Sequence, residues 1–351
     1  MMTADPASRA LDPSADRAAW RVAVVIPCYR VRDHILPVLA GIGDDCEAIY
    51  VIDDGCPDGS GRHVEAHCTD PRVRVIVHDR NRGVGAAVLT GYRAAMADGA
   101  TVLVKIDGDG QMDPADLPKF VAPIVHEDAD YTKGNRFYDL SRIHRMPLAR
   151  ILGNAALSFI TKFSSGYWDI FDPTNGYTAI HAAVAARLPC DRLASRYFFE
   201  SDMLHQLGVL GAVVRDVPID ARYGQERSGL RLTSAIARFS VRHAINTGRR
   251  LFYNYFLRDF SAASVELVLG LLLLGFGVVF GATQWVEWRA RGVGAYAGTV
   301  MLAALPVIVG MQLLLAFLAF DVSRVPRRPL HPQLLRRQRA SQPRAAPARP
   351  G

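Results

Sequence analysis

The chain of 351 residues is poor in cysteine and in lysine, and no apolar run opens it. Its five cysteines, Cys28, Cys46, Cys56, Cys68 and Cys190, form no CxxC pair and leave one thiol over. That excludes a zinc ribbon and a disulfide framework and fits a reducing compartment. Residues 1–20 are polar and rich in Pro and Ala, so they read as a disordered cytosolic segment without the usual secretory signal. Only four of the 41 basic residues are lysines. The arginines are segregated. Residues 1–221 carry 23 Lys and Arg against 29 Asp and Glu, a net of −6, which argues against a nucleic-acid partner for the folded part. Residues 222–258 and 321–351 each carry eight arginines against one acid, and these blocks flank the most apolar part of the chain.

That part holds two stretches, about 262–282 and 297–320, each long enough to cross a bilayer core at about 1.5 Å per helical residue. Buried soluble helices are the competing reading, but such helices rarely run this far without a polar face. Pro306 predicts a kink in the second stretch. The segment TQWVEWRARGVGAY reads as a short connecting loop with interfacial aromatics, and the arginine blocks place both chain ends in the cytosol. The hairpin therefore predicts a two-helix anchor in the cytoplasmic membrane. Residues 226–260 read as amphipathic juxtamembrane helices. Arg231, Arg238, Arg242 and Arg249 are spaced 7, 4 and 7, which puts them along one helical line suited to anionic lipid headgroups. A solvated helix face is the plainer alternative. Residues 321–351 read as a disordered basic tail near anionic lipid.

Residues 21–225 alternate β-branched runs with helical patterns, the signal for a mostly parallel α/β sheet with helices on both faces. Strands are predicted at 22–27, 48–53, 73–78 and 101–107, with helices starting near Asp33, Ser60 and Gly85. Each strand ends in polar or glycine-rich residues, where open α/β sheets bind ligands. Pro27-Cys28-Tyr29-Arg30 follows the first strand. Asp53-Asp54-Gly55-Cys56-Pro57-Asp58-Gly59-Ser60 follows the second, and its paired acids suit ribose or base hydrogen bonds, or equally a turn or helix cap. Asn81-Arg82-Gly83-Val84-Gly85 opens a helix. Val88 stands at the third position of a dinucleotide fingerprint, so that reading is rejected, but the glycines suit close backbone approach to phosphate or sugar.

The fourth motif, Lys105-Ile106-Asp107-Gly108-Asp109-Gly110-Gln111-Met112-Asp113-Pro114, places two carboxylates one residue apart. Both can reach a hard divalent cation bridging a diphosphate. Met112 and Pro118 exclude a calcium EF-hand loop. His63 and His67, four apart, read as surface helix residues rather than a metal pair. The loop and strand of Asp172–Ile180 read either as part of the acceptor side or as structural.

In this order and spacing, PCYR, IDDGCPDGSG, NRGVGAA and DGDGQMDP resemble family 2 glycosyltransferases of the GT-A fold. The likeness is to the polyprenyl or dolichyl phosphate mannosyl- and glucosyltransferase branch and covers about residues 21–231. The resemblance implies a GT-A, Rossmann-like sheet in which Pro27, Tyr29, Ile52 and Asp54 hold the nucleoside of a nucleotide sugar, with Gly83, Gly85 and Gly108 beside it. It implies that Asp107, Asp109 and Gln111 bind Mg²⁺ or Mn²⁺. Arg136, in Lys133-Gly134-Asn135-Arg136-Phe137, takes the place of a phosphate-contacting arginine. Glu200 and Asp202 resemble the acceptor-side acids. Arg222 resembles the arginine of an R-x-x-G-x-S-K segment, in which Gly229 replaces the lysine, so Arg227 or Arg231 would supply the charge. Arg30 and Val31 also depart from the family's P-x-Y-N motif and the acid that often follows it, which leaves UDP against GDP open.

The implied reaction is transfer of one sugar, with inversion, from a nucleotide sugar to a polyprenyl phosphate, steered by Arg227, Arg231, Arg238 and Arg242. Transfer to a hydroxyl of a lipid-linked saccharide, with Glu200 or Asp202 as base, is the alternative. A catalytically silent membrane scaffold is a minor one. No Q-x-x-R-W signature of processive synthases is present. The sequence leaves open whether the chain forms a homo-oligomer.

Overall fold

Short apolar runs buried on both faces become the strands of one sheet, and the polar residues that end them become its functional rim. The computed structural model describes residues 20–138, 148–220 and 232–341. They fall into two units, Met1–Asn246 with Pro326–Gly351, and Thr247–Val325.

The first unit runs β1 (Val22–Cys28), α1 (Arg32–Ala40), β2 (Ala48–Asp53), α2 (Ser60–His67), β3 (Val73–Val77), α3 (Val84–Ala97) and β4 (Val102–Lys105). It continues with α4 (Leu117–Val125), β5 (Tyr131–Asn135), α5 (Leu148–Ser165), β6 (Thr178–His181), α6 (Ala182–Ala185), α7 (Phe199–Leu210) and β7 (Val214–Pro218). The strand order is β3-β2-β1-β4-β6-β5-β7. All neighbours pair in parallel except β6, which is antiparallel to β4 and β5. The four predicted strands and three helix starts are found within one or two residues of their expected ends. Alternation along β1 fixes the layers. Val24 and Ile26 join the core built by α1, α2 and α4. Val25 turns to α3, where Gly91 lets the helix approach so closely that a Cβ would lie 2.3 Å from Val25 Cγ1.

The second unit begins within α8 (Leu232–Phe252), which ends in a π turn over Tyr253–Leu257. Helices α9 (Ala262–Arg291) and α10 (Ala297–Ser323) follow, of 30 and 27 residues. At about 1.5 Å per residue each exceeds the ~30 Å hydrocarbon core. Only 11% of the most apolar window of each is buried. Long, apolar and exposed, they suggest a membrane anchor. α9 runs past its expected end near residue 282 and closes only at Gly292, whose left-handed φ of 67° caps it. The loop is therefore only 292–296, and TQWVEWRAR is helical. α10 continues through Pro306 as one helix. Arg250 binds both oxygens of Asp321 at 2.7 and 3.0 Å, and the Tyr255 hydroxyl donates to Asp321 at 2.6 Å.

After α10 the chain rejoins the first unit, which corrects the expectation of a disordered tail from residue 321. Asp321 to Ser323 belong to α10, and α11 spans His331–Ser341. His331 is fully buried. Its ring Nδ1 lies 2.8 Å from Asp130 Oδ1, and the backbone N–H groups of Leu330 and His331 donate to the same carboxylate. The ring stacks on His181 at 4.4 Å, with Trp20 edge-on to both. Burial alone would raise the Asp130 carboxyl, but these donors and Val213 N–H outweigh it and hold its pKa below the ordinary value.

Candidate active site

The loops after β1, β2, β3 and β4 gather at one rim, as the motif order predicts. Asp53 accepts the N–H groups of Cys56 and Gly61 and so closes the loop into α2. Asp54 is buried, with its oxygens 2.7 Å from His78 Nδ1 and accepting N–H from Arg82 and Gly83. Its carboxylate ties β2 to the loop after β3. Ile52 is fully buried, so its side chain faces the core rather than a nucleoside. Pro27 is half-buried and Tyr29 is 41% exposed, with the Arg30 guanidinium 5.5 Å above its ring. Arg30 itself has φ 59°, a left-handed conformation that favours Gly or Asn.

Gly83 and Gly85 pack closely against another part of the chain. A Cβ on Gly83 would meet Ser195 O at 2.2 Å, and one on Gly85 would meet Ala194 O at 2.4 Å. The Gly85 N–H donates to Ser195 O. The close approach they permit in this structure is that of the chain's own 194–199 segment.

The loop that carries Asp107-Gly108-Asp109, a DxD loop, lies at the end of β4. Gly108 fits against Val31, Ile26 and Ile35, which keeps the loop on α1 while Asp107 and Asp109 both stay partly exposed. Asp109 Oδ1 accepts the Gln111 N–H at 3.0 Å. Asp107 Oδ1 lies 2.8 Å from Lys105 Nζ, and the same ammonium reaches Glu200 Oε1 and Gly176 O, each at 3.1 Å. Burial opposes the charge of Lys105, but Asp107 and Glu200 outweigh it and raise the lysine pKa above its ordinary value. The loop before β6 closes on this group, since a Cβ on Gly176 would lie 2.2 Å from Asp107 Oδ2.

At the end of β5, Arg136 meets Asp172 bidentately, with Nε to Oδ2 at 2.7 Å and Nη2 to Oδ1 at 3.0 Å. The arginine is thus oriented at the rim by the Asp172 loop. Beside it Lys133 is fully buried, donates to Asn175 O, and has its pKa lowered to about 8 by burial, against the pull of Glu200 and Asp172. Asp202 has an architectural place: Oδ2 accepts the Ala194 N–H and Oδ1 the Asn246 amide, both at 2.9 Å. It joins α7 to α8. His243 extends that joint, with Nδ1 2.8 Å from Ser164 Oγ and its ring edge-on to Phe198. Arg238 and Arg242 are exposed on α8, the latter 5.5 Å over the Phe198 ring. Arg222, Arg227 and Arg231 lie outside the described residues.

Among the described residues no three His, Cys, Asp or Glu side chains form a ready-made metal cluster. His63 and His67 do pair, ring centroids 4.4 Å apart, but they share their groove with Arg32 and Arg62, which disfavours a cation. Asp107 and Asp109 fit a hard divalent ion better. They offer carboxylate oxygens one residue apart on a partly exposed loop, and diphosphate oxygens would complete such a set.

Sequence reasoning named the segments that hold Lys105, Lys133, Asp172 and Gly176 but gave none of these four side chains or positions a role of its own. A lysine in each of the fully buried strands VLVK and YTKGN was the available signal, because a buried charge needs partners.

The glycosyl transferase family 2 model matches residues 23–188. The polyprenol monophosphomannose synthase of Mycolicibacterium smegmatis is 30% identical over 213 residues, covering 59% of this chain and 80% of the relative. The UDP-N-acetylglucosamine–dolichyl-phosphate N-acetylglucosaminyltransferase of Methanococcus voltae is 28% identical over 232 residues, 62% of this chain and 92% of the relative. Glucosyl-3-phosphoglycerate synthase from Mycobacterium tuberculosis, in complex with Mn²⁺, UDP and glucosyl-3-phosphoglycerate, has a TM-score of 0.48 at 20% identity over 67% of this chain and 81% of that one. The family match spans the strands that carry Asp54, Asp107 and Arg136, and the relatives align over most of their own lengths, so the chain belongs to glycosyl transferase family 2 and is a glycosyltransferase.

Proposed function

We propose that the enzyme transfers a single sugar from a UDP- or GDP-sugar to a polyprenyl phosphate at the cytosolic face of the cytoplasmic membrane. The observation that carries this reading is the state of the acceptor-side acids. Glu200 is ion-paired with Lys105, and Asp202 has both oxygens on Ala194 and Asn246. A hydroxyl acceptor needs a base to take its proton, whereas a phosphate oxygen is already ionised at neutral pH. Two curated relatives carry polyprenol or dolichyl phosphate in their names, which supports the same acceptor class.

Tyr29 presents its ring for the base, and Arg136, oriented by Asp172, points positive charge at the rim for phosphate. Asp107 and Asp109 would hold Mg²⁺ or Mn²⁺, with Gln111 beside them, and that ion would neutralise the departing diphosphate. The acceptor oxygen attacks the anomeric carbon from the face opposite the leaving group, which inverts it. Exposed Arg238 and Arg242 on α8 favour an anionic lipid head. Met1–Asn246 and Pro326–Gly351, which precede and follow the hairpin unit, belong to the same unit, which supports two passes with both flanks on one side.

The test is to incubate membranes containing wild type or Asp109→Asn with labelled UDP- and GDP-sugars, polyprenyl phosphate and Mn²⁺. An acid-labile labelled lipid made by wild type alone is expected. Donor binding without such a lipid, under any donor, refutes the lipid-phosphate acceptor.

A further inference from the structure

Lys105 is the charged end of an otherwise apolar strand, and its side chain is 1% exposed. Its three protons meet three acceptors from three parts of the chain: Asp107 Oδ1 at 2.8 Å in the DxD loop, Glu200 Oε1 at 3.1 Å on α7, and Gly176 O at 3.1 Å in the loop before β6. The three contacts use the ammonium's three donors, and a Cβ on Gly176 would lie 2.6 Å from Nζ. Without the ammonium, two partly buried carboxylates would face each other across the place it leaves, and like charges at such range repel.

We propose that Lys105 is a positioning residue that joins the donor-side carboxylate Asp107 to the acceptor-side carboxylate Glu200 and sets the negative charge available to a divalent cation at the DxD loop. The inference rests on the reading of Asp107 and Asp109 as metal ligands. Two carboxylates and one ammonium leave the trio at −1. That is enough to attract a divalent ion and weak enough to release it with the nucleoside diphosphate. Removing the ammonium leaves −2, so the cation is held more tightly while Glu200 loses its anchor. Removing the Glu200 charge leaves 0, so the cation is held more weakly. Loss of structure alone cannot produce opposite changes from two neighbouring substitutions.

The experiment measures Mn²⁺ binding by electron paramagnetic resonance to the full-length protein in detergent, beside sugar transfer and thermal unfolding. Lys105→Met is expected to bind Mn²⁺ roughly tenfold more tightly or better, while its kcat falls about 100-fold. Glu200→Gln is expected to bind Mn²⁺ roughly tenfold more weakly. The double variant Lys105→Met/Glu200→Gln returns the trio to −1 and is expected to regain wild-type Mn²⁺ affinity without regaining kcat. Wild-type protein that binds Mn²⁺, with Lys105→Met equal to it or weaker, overturns the role of Lys105 alone. A Lys105→Met protein that fails to fold leaves the Glu200→Gln and double variants to decide, and a double variant that does not recover affinity overturns the charge argument. Wild type that binds no Mn²⁺ overturns the metal reading, and this proposal with it.

Discussion

His331→Ala removes the ring that fastens the post-hairpin segment to the first unit. The ring's contact with Asp130 at 2.8 Å involves a buried carboxylate and is worth about 1.5–3 kcal/mol. Stacking on His181 at 4.4 Å adds about 0.5–1.5 kcal/mol. The backbone donors of Leu330 and His331 remain in the variant, so only the ring's share is lost, about 3 kcal/mol in all. That raises the undocked population about 100-fold. Trypsin reads this population directly, because cutting after Arg336 inside α11 requires undocking when reclosing outpaces cleavage. The expected result is cutting after Arg336 about 100-fold faster than in wild type, with the sheet intact by mass spectrometry. Cutting at the wild-type rate, or digestion of the sheet at the same accelerated rate, would refute the account of the segment as separately docked.

The remaining predictions concern pH, strain and buried pairs. Burial lowers the pKa of His181 and of His243 to about 4, with a neighbouring histidine adding to each. Their neutral forms are favoured in the folded state, so stability is complete above about pH 6.5 and falls as pH drops toward 4, by about 3 kcal/mol for each. Thermal unfolding across that range tests this, and a His181→Phe variant should lose part of the slope. Arg30→Asn should stabilise by about 1 kcal/mol, since Asn tolerates the φ of 59° better than a long side chain, and an unchanged or lower Tm contradicts the strain. Asp321→Asn strands the Arg250 guanidinium and should cost about 3–5 kcal/mol, seen as a lower unfolding midpoint in detergent. A midpoint shift below about 1 kcal/mol would show that water reaches the pair.

The sheet was legible because strands buried on both faces leave unbroken apolar runs, and the rim was legible because their polar ends fall in a fixed order. What each rim residue touches was not. Gly83 and Gly85 carry the same local signal whether they admit a phosphate or a carbonyl, and Ser195 lies more than a hundred residues away in sequence. Asp54 and Asp202 carry the signal of functional acids, yet their partners, His78 and Asn246, are set by tertiary packing. The C-terminal segment has the composition of a solvated tail, and only the burial of His331 against Asp130 and His181 reveals otherwise. The end of α9 was misjudged because polarity rises at residue 283 while the helix runs on to a left-handed cap at Gly292.

The central claim is that a phosphate oxygen is the acceptor. The most direct measurement gives purified enzyme, with its donor and Mn²⁺, either polyprenyl phosphate or a polyprenyl-diphosphate-linked saccharide, and follows the product by phosphorus NMR. A new glycosyl phosphodiester resonance from polyprenyl phosphate, absent with Asp109→Asn, is the predicted result. Sugar added to the saccharide hydroxyl, with the polyprenyl phosphate resonance unchanged, would contradict it.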